Sequence, residues 1–433
     1  MVFKIGLLGL GTVGTGVAQI LLHPQGRHSL VSEIKIQKVG VRSLDKPRRV
    51  DLPLDLITTD LEAIVMDPEI DIVVELLGGL EPARSLILKA ISQGKHIVTA
   101  NKAVIARYGD EIYSEAHKQG VYVLLEAAVG GGIPVIKPLK QSLGVNRIRN
   151  VMGIVNGTTN FILTQMSSHG ADFNDVLAEA QKLGYAEADP TADVDGLDAA
   201  DKIAILASIA YNGRIKREDI YCEGIRNISA VDITYADNLG FVIKLLAIAQ
   251  KINPDTDELQ VRVHPTLLPK DHPLASINGV YNAVLVEGDP LGQVMFFGPG
   301  AGEGATASAV VSDITNIAGI LISSGDSKIL DPLLSSDHQH YCNVVPIEKV
   351  ETRFYARFLC NDIPGVIGHL GTSFGHHNVS LESVVQIGMR DHLAEIVVVT
   401  HDVNEGDFRQ ALEEIKTLSA INTIPTVLRV LHS

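Results

Sequence analysis

A chain of 433 residues is long enough for about three domains with sizeable cores. With 46% hydrophobic and 20% charged residues it reads as an ordinary globular protein, and a net charge of −15 without a basic stripe argues against nonspecific nucleic-acid binding. Three widely spaced cysteines, Cys222, Cys342 and Cys360, offer neither a disulfide framework nor a zinc site and fit a reducing compartment. Met1 runs straight into a strand with no secretory n- and h-regions, and apolar runs such as Ile70–Leu77 are too short for a bilayer, so a cytoplasmic location is expected.

From residue 3 to about 130, short runs rich in Val, Ile and Leu alternate with helical stretches. Phe3–Leu8, Ile34–Val41, Ile70–Leu77, His96–Thr99 and Val121–Glu126 read as buried strands; Val13–Leu22, Leu61–Met66, Ala83–Gln93 and Gly109–Lys118 read as helices. That alternation predicts a parallel, doubly wound α/β sheet. From about 145 the pattern changes. Arg147–Val155, Glu258–Pro265 and Tyr281–Glu287 read as strands of a second sheet, with helices at Phe161–Ser168, Phe173–Leu183, Ala199–Tyr211 and Asn238–Lys251. A helix over Ala305–Ser323 is expected to pack back on the first domain. After a polar break at Gly325–Pro346, the last stretch reads strand-helix-strand-strand-helix-strand, the ferredoxin-like order. The expected domains are therefore 1–135 for dinucleotide binding, 136–325 for substrate binding and dimerisation, 326–350 as linker and 351–433 as a regulatory unit.

Gly9-Leu10-Gly11-Thr12-Val13-Gly14 follows the first strand and opens a helix. Gly9 allows the tight turn, Gly11 lets a pyrophosphate approach the backbone, Gly14 permits close helix-strand packing, and free N–H groups at the helix start receive phosphate. The second strand ends in Arg42 where an NAD site would carry an acid, with Lys46, Arg48 and Arg49 behind it. A guanidinium fork suits a 2′-phosphate, so NADP(H) is the preferred cofactor and NAD(H) the alternative. Three glycine- or lysine-bearing stretches lie beyond strand ends, where ligands collect in open sheets: Leu76–Gly79, Thr99–Lys102 and Glu126–Pro134.

Six carboxylates, Glu187, Asp189, Asp193, Asp195, Asp198 and Asp201, fall within fifteen residues and end on Lys202, which opens an apolar helix. An acidic pocket holding one lysine suits an amine-bearing substrate and a proton transfer; a solvated loop with an Asp198–Lys202 helix pair is the plainer alternative. A calcium loop fails, because Lys202 stands where a bidentate glutamate is required.

These residues together resemble the homoserine dehydrogenase family, in its monofunctional bacterial form with a C-terminal ACT domain. The most specific stretch runs from Ala180 through Gly184-Tyr185, Glu187-Ala188-Asp189-Pro190, Asp193-Val194, Gly196 and Asp198 to Lys202; Val98–Ala103, Gly153–Leu163 and Gly298–Gly302 support it. Gly304-Ala305-Thr306 departs from the family, which usually has proline before the threonine. The resemblance implies that Glu187 and Asp198 bind substrate, that Lys202 is the proton donor and that Lys102 sits beside substrate and nicotinamide. Thr12, Val13, Arg42, Lys102, Gly184 and one of Gly300 and Gly302 would contact the cofactor. Sodium would be held by Glu126, Val129, Gly131 and Ile133, mostly through backbone oxygens. Asp362 and Gly365 would hold an amino-acid effector, for which threonine is the natural candidate, and a homodimer or homotetramer is expected. The implied reaction is the reversible reduction of L-aspartate 4-semialdehyde to L-homoserine. A 2-hydroxy-acid dehydrogenase with an ACT domain would need a catalytic His and a carboxylate-binding Arg, and no convincing set is visible. An acylating semialdehyde dehydrogenase would need a thiolate near the motifs. A noncatalytic dinucleotide sensor would have little use for both Lys102 and Lys202.

Overall fold

The computed structural model describes residues 2–253, 256–324, 329–336, 340–390 and 392–431. It divides into two compact units, one of Met1–Val151, Asp201–Arg217 and Tyr281–Cys342, the other of Met152–Ala200, Glu218–Val280 and Asn343–Ser433.

In the first unit, strands β1 (Phe3–Leu8), β2 (Ile34–Gly40), β3 (Ile57–Thr58), β4 (Ile72–Glu75), β5 (His96–Thr99) and β6 (Val123–Leu124) form one sheet in the order 3-2-1-4-5-6. Every pairing is parallel. The order reverses between β1 and β4, and the crevice beyond the carboxyl ends of such strands is where dinucleotides bind. Helices α1 (Thr12–Leu22), α2 (Leu61–Met66), α3 (Ala83–Ser92) and α4 (Lys102–Gln119) cover the sheet. Side chains on a strand alternate between faces: Ile5 and Leu7 enter a core with Val17 and Ala18 of α1, whereas Gly6 faces Ile64 of α2.

The Glu303–Ser324 helix returns to this unit as anticipated. Its Ala307, Val310, Ile314 and Ile317 join the same core, and Gly16 of α1 lies against Ala307 and Glu303. By length and composition this helix, with mean hydropathy 1.5, is apolar enough to cross a membrane, unlike the shorter runs weighed in the sequence. Its place in the core accounts for that apolarity.

The second unit holds helices Gly157–His169, Phe173–Leu183 and Ala230–Asn238 and a sheet that includes, in order, strands Phe241–Lys251, Glu258–Pro269, Ile421–Val430, Glu351–Asn361, Leu393–Thr400 and Leu381–Arg390. The last four, with helices Val366–His376 and Glu405–Lys416, build the expected ferredoxin-like domain. Its core stacks Phe354 on Phe408 at 4.0 Å between ring centres.

One element differs in kind from its sequence reading. Asn238–Lys251 was expected as a helix; instead a helix ends at Asn238, Gly240 takes φ +84°, and Phe241–Lys251 is a strand paired antiparallel with Glu258–Pro269 over eleven residue pairs. Leu, Ala and Lys favour helix locally, but the long cross-strand register overrides propensity. Helix α4 also begins at Lys102 rather than Gly109, because the Asn101 side chain caps it by accepting from the Val104 N–H at 3.3 Å. Residues 325–328 and 337–339 of the expected break lie outside the described residues.

Candidate active site

The Gly9–Gly14 turn joins β1 to α1 in the form the dinucleotide motif requires. Gly9 has φ +107°, and a Cβ on Gly14 would lie 2.1 Å from the Gly9 carbonyl oxygen. Gly11 faces open space and is the N-cap of α1 without any side-chain cap. Thr12 is exposed and Val13 half-buried. The first backbone N–H groups of α1 are thus open to an anion.

Arg42 is exposed just past β2. The basic residues behind it do not all add to its field. Arg48 donates to the carbonyls of Leu44 and Lys46, both at 3.0 Å, and Arg49 pairs with Glu303. Arg49's charge is thus balanced by Glu303, whereas Arg48, bonded to neutral carbonyls, keeps its own.

Beyond β4 and β5 a buried network orders the strand ends. Glu75, fully buried, accepts from Thr99 Oγ1 at 2.6 Å and from the Leu77 N–H at 2.8 Å; the Asn101 side chain donates to the Gly79 carbonyl at 2.8 Å. This network holds Lys102, half-buried, at the first position of α4. Five residues along, Arg107 pairs with Asp201 at 3.1 Å, and Arg217 pairs with the other Asp201 oxygen at 2.8 Å. Asp201 precedes Lys202 on the Leu197–Ala210 helix, so α4 and the segment bearing Lys202 are joined within the first unit. Lys202 is half-buried.

In the second unit the acidic stretch is organised by Asn156, the N-cap of the Gly157–His169 helix. Its amide donates to Asp193 at 2.7 Å and to Asp198 at 2.9 Å, while its oxygen accepts from the Thr159 N–H at 2.9 Å. Thr158 adds a bond to Asp193 at 3.1 Å. Asp198 is buried and Glu187 exposed. Gly184 is the exposed left-handed C-cap of the Phe173–Leu183 helix. The six carboxylates do not act as one group: Asp195 pairs with Arg226, Asp201 with two arginines, and Asp189 accepts from Thr191, which lowers its pKa. Sequence proximity alone concealed these arginine partners.

The turn proposed for a cation lies in the first unit. The Glu126 carboxylate accepts the N–H groups of Val135, Ile136 and Lys137 at 2.7, 2.8 and 2.9 Å. The Glu126 N–H donates to Asp313 at 2.8 Å; burial pushes the Asp313 carboxyl up to about 6 while Lys137, 3.0 Å away, opposes the shift. Val129 and Ile133 are buried, and Gly131 lies against the Gly300 carbonyl. Against Gly300 also sits Asn282, 1% exposed, whose amide has no protein partner among the described residues. No group of three or more His, Cys, Asp or Glu side chains converges among the described residues, so a cation here would rest on backbone oxygens. Asn282 escaped sequence reading; an amide inside the apolar strand Tyr281–Asp289 was its one signal.

In the C-terminal domain a cleft of about 220 Å³ is lined by Asn361, Asp362, Gly365, Val366 and Gln386. Gly365, at φ +94°, is the N-cap of the Val366–His376 helix.

A parallel 3-2-1-4-5-6 sheet, a glycine turn at an uncapped helix start and an appended ferredoxin-like domain define a protein of the Rossmann-type dinucleotide-binding class. The profile of homoserine dehydrogenase matches residues 134–315, that of the homoserine dehydrogenase NAD-binding domain residues 9–126, and that of the ACT domain residues 354–420. The homoserine dehydrogenase of Synechocystis sp. is 71% identical over 432 residues, covering 100% of both chains. The crystal structure of a homoserine dehydrogenase from Thiobacillus denitrificans superposes with a TM-score of 0.93 at 41% identity, covering 100% of this chain and 98% of the other. A hyperthermophilic archaeal homoserine dehydrogenase in complex with NADPH gives 0.62 at 29% identity, covering 74% of this chain and 98% of that one. The chain belongs to the homoserine dehydrogenase family.

Proposed function

We propose that this chain, as a cytoplasmic homodimer or homotetramer, interconverts L-aspartate 4-semialdehyde and L-homoserine with NADP(H), on the route to threonine, methionine and isoleucine. A bound nicotinamide would exchange hydride with the substrate carbon. Lys202 gives a proton to the oxygen that gains charge in reduction and takes it back in oxidation. Lys102 holds substrate beside the ring; Glu187 and Asp198 receive its polar end. Thr12, Val13, Gly184 and the Gly300–Gly302 turn contact the cofactor. The observation that carries this reading is the pair of half-buried lysines, Lys102 and Lys202, borne on segments joined by the Arg107–Asp201 bridge.

The preference for NADP(H) rests on Arg42, exposed beyond β2, and is in keeping with the NADPH of the archaeal relative. Sodium at Glu126, Val129, Gly131 and Ile133 fits the turn's glycine backbone and the unpartnered amide of Asn282 across Gly300, since a buried polar group without a partner costs about 1–3 kcal/mol. Threonine is the proposed effector at Asp362 and Gly365. The test is homoserine oxidation with each dinucleotide: kcat/KM should favour NADP+, and Arg42→Ala should reduce that preference by about tenfold or more, the loss of one charge-assisted pair. Equal efficiency with NAD+, unchanged by the substitution, rejects the cofactor assignment; no homoserine-dependent reduction of either rejects the whole reading.

A further inference from the structure

The segment Tyr221–Arg226 touches the acidic turn Thr191–Asp198 at four successive points, all within the second unit. Cys222 Sγ lies 3.3 Å from the Asp195 carbonyl oxygen and packs against Gly196. Gly224 lies so close to the turn that a Cβ there would be 2.1 Å from the Val194 oxygen and 2.5 Å from the Asp195 Cα. The Ile225 N–H donates to the Val194 carbonyl at 2.8 Å. Arg226 closes the contact, pairing with Asp195 and donating to Thr191 Oγ1 at 3.3 Å.

The same segment is gripped from the other side by the ACT domain. Glu223 accepts from Arg429 at 2.9 Å and from the Tyr221 hydroxyl at 2.9 Å. Arg429 is held bidentate by buried Glu405, at 2.9 and 2.6 Å, and its guanidinium lies 4.7 Å from the centre of the Tyr221 ring. A cleft of about 290 Å³, lined by Tyr221, Glu223, Glu405, Arg409 and Arg429, opens onto this ion pair. Glu223 is 35% exposed, against 6% for its partner Arg429.

We propose that Tyr221–Arg226 is a strap that positions the Asp193–Asp198 turn, and that the Glu223–Arg429 pair makes the turn's position, and hence homoserine affinity, depend on the ACT domain. The inference rests on the reading of Asp198 as a substrate ligand. Glu223, Gly224 and Arg226 are positioning residues: they act through the turn and touch neither substrate nor cofactor.

The test compares full-length variants in steady-state homoserine oxidation. Gly224→Ala must displace the Val194–Asp195 backbone and should raise KM for homoserine about tenfold or more; Glu223→Gln should raise it about threefold or more. In both, KM for NADP+ and kcat should stay within about twofold. Arg226→Ala should behave likewise, and Arg226→Lys, which keeps the charge on Asp195, should recover part of the loss. Asp198→Asn, run alongside, tests the turn itself. If Asp198→Asn raises KM for homoserine while Glu223→Gln and Gly224→Ala leave it unchanged, the strap is refuted. Equal increases in both KM values would refute it too, as mere structural damage. A normal KM in Asp198→Asn removes the turn from substrate binding and takes the strap with it. Should Gly224→Ala fail to fold, Glu223→Gln, altered at a partly exposed side chain, decides.

Discussion

Lys202, the proposed proton donor, is half-buried on a helix whose neighbour Asp201 pairs with Arg107 and Arg217. Lys202→Ala should therefore lower kcat by about 100-fold or more, the usual contribution of a general acid. Cofactor binding, measured by NADPH fluorescence, should be nearly unchanged; near-normal turnover would remove Lys202 from the mechanism. A second residue carries a pH signature. Burial depresses His96 to about 4, and its ring accepts the Tyr122 N–H at 3.0 Å. A histidine lowered in the folded state binds its proton more readily once unfolded. Stability should thus fall as pH drops from about 6.5 toward 4, by at most about 3 kcal/mol. Urea unfolding at pH 7 and pH 5 should show this loss in the wild type and a smaller one in His96→Asn.

At the level of elements, one buried ion pair network fastens the Ala230–Asn238 helix to the ACT sheet. Arg357, 2% exposed, donates to Asp232 at 2.8 Å and Glu395 at 2.7 Å, and Tyr235 donates to Glu395 at 2.6 Å. Removing the cation alone leaves two buried carboxylates facing each other. Arg357→Leu should cost about 3–5 kcal/mol in urea unfolding of the full chain, and a loss below about 1 kcal/mol would show that the carboxylates find other partners. Elements also show how far sequence pattern reaches. Phe3–Leu8, Leu61–Met66, His96–Thr99 and Phe173–Leu183 keep their expected bounds because local period and burial agree there. Phe241–Lys251 breaks the expectation because its strand partner lies across a turn, in Glu258–Pro269.

The whole molecule adds a constraint on testing regulation. The final strand, Ile421–Val430, lies between Glu258–Pro269 and Glu351–Asn361 in one sheet and carries Arg429 to Glu405 and Glu223. Truncation after Val350 would uncover Thr266 and Leu267, the part of the Glu258–Pro269 edge that pairs with Arg429 and Val430, and would take Arg429 away from buried Arg262 and His264. An exposed edge strand pairs with other chains. The truncated protein should therefore aggregate or lose thermal stability, seen by size-exclusion chromatography and a lowered Tm, and not give a clean deregulated enzyme. The proposed threonine response is better tested by Asp362→Ala in the full chain, which should weaken any inhibition of the wild type with basal kcat retained; inhibition identical to the wild type would move the effector elsewhere, and a wild type insensitive to threonine would reject it as effector.

Local chemistry made part of this protein legible without coordinates: a glycine turn can serve one helix start, and Lys102 and Lys202 stand out beside apolar strand and helix runs. The strand order, the Glu75–Thr99–Asn101 network, the Asn156 hub and the Glu223–Arg429 pair were not legible. Their key bonds join groups far apart in the chain, Glu75 to Thr99 across 24 residues and Glu223 to Arg429 across 206, and burial, which decides whether a charge is paired or solvated, is a property of the folded neighbourhood and not of the residues beside it in the chain.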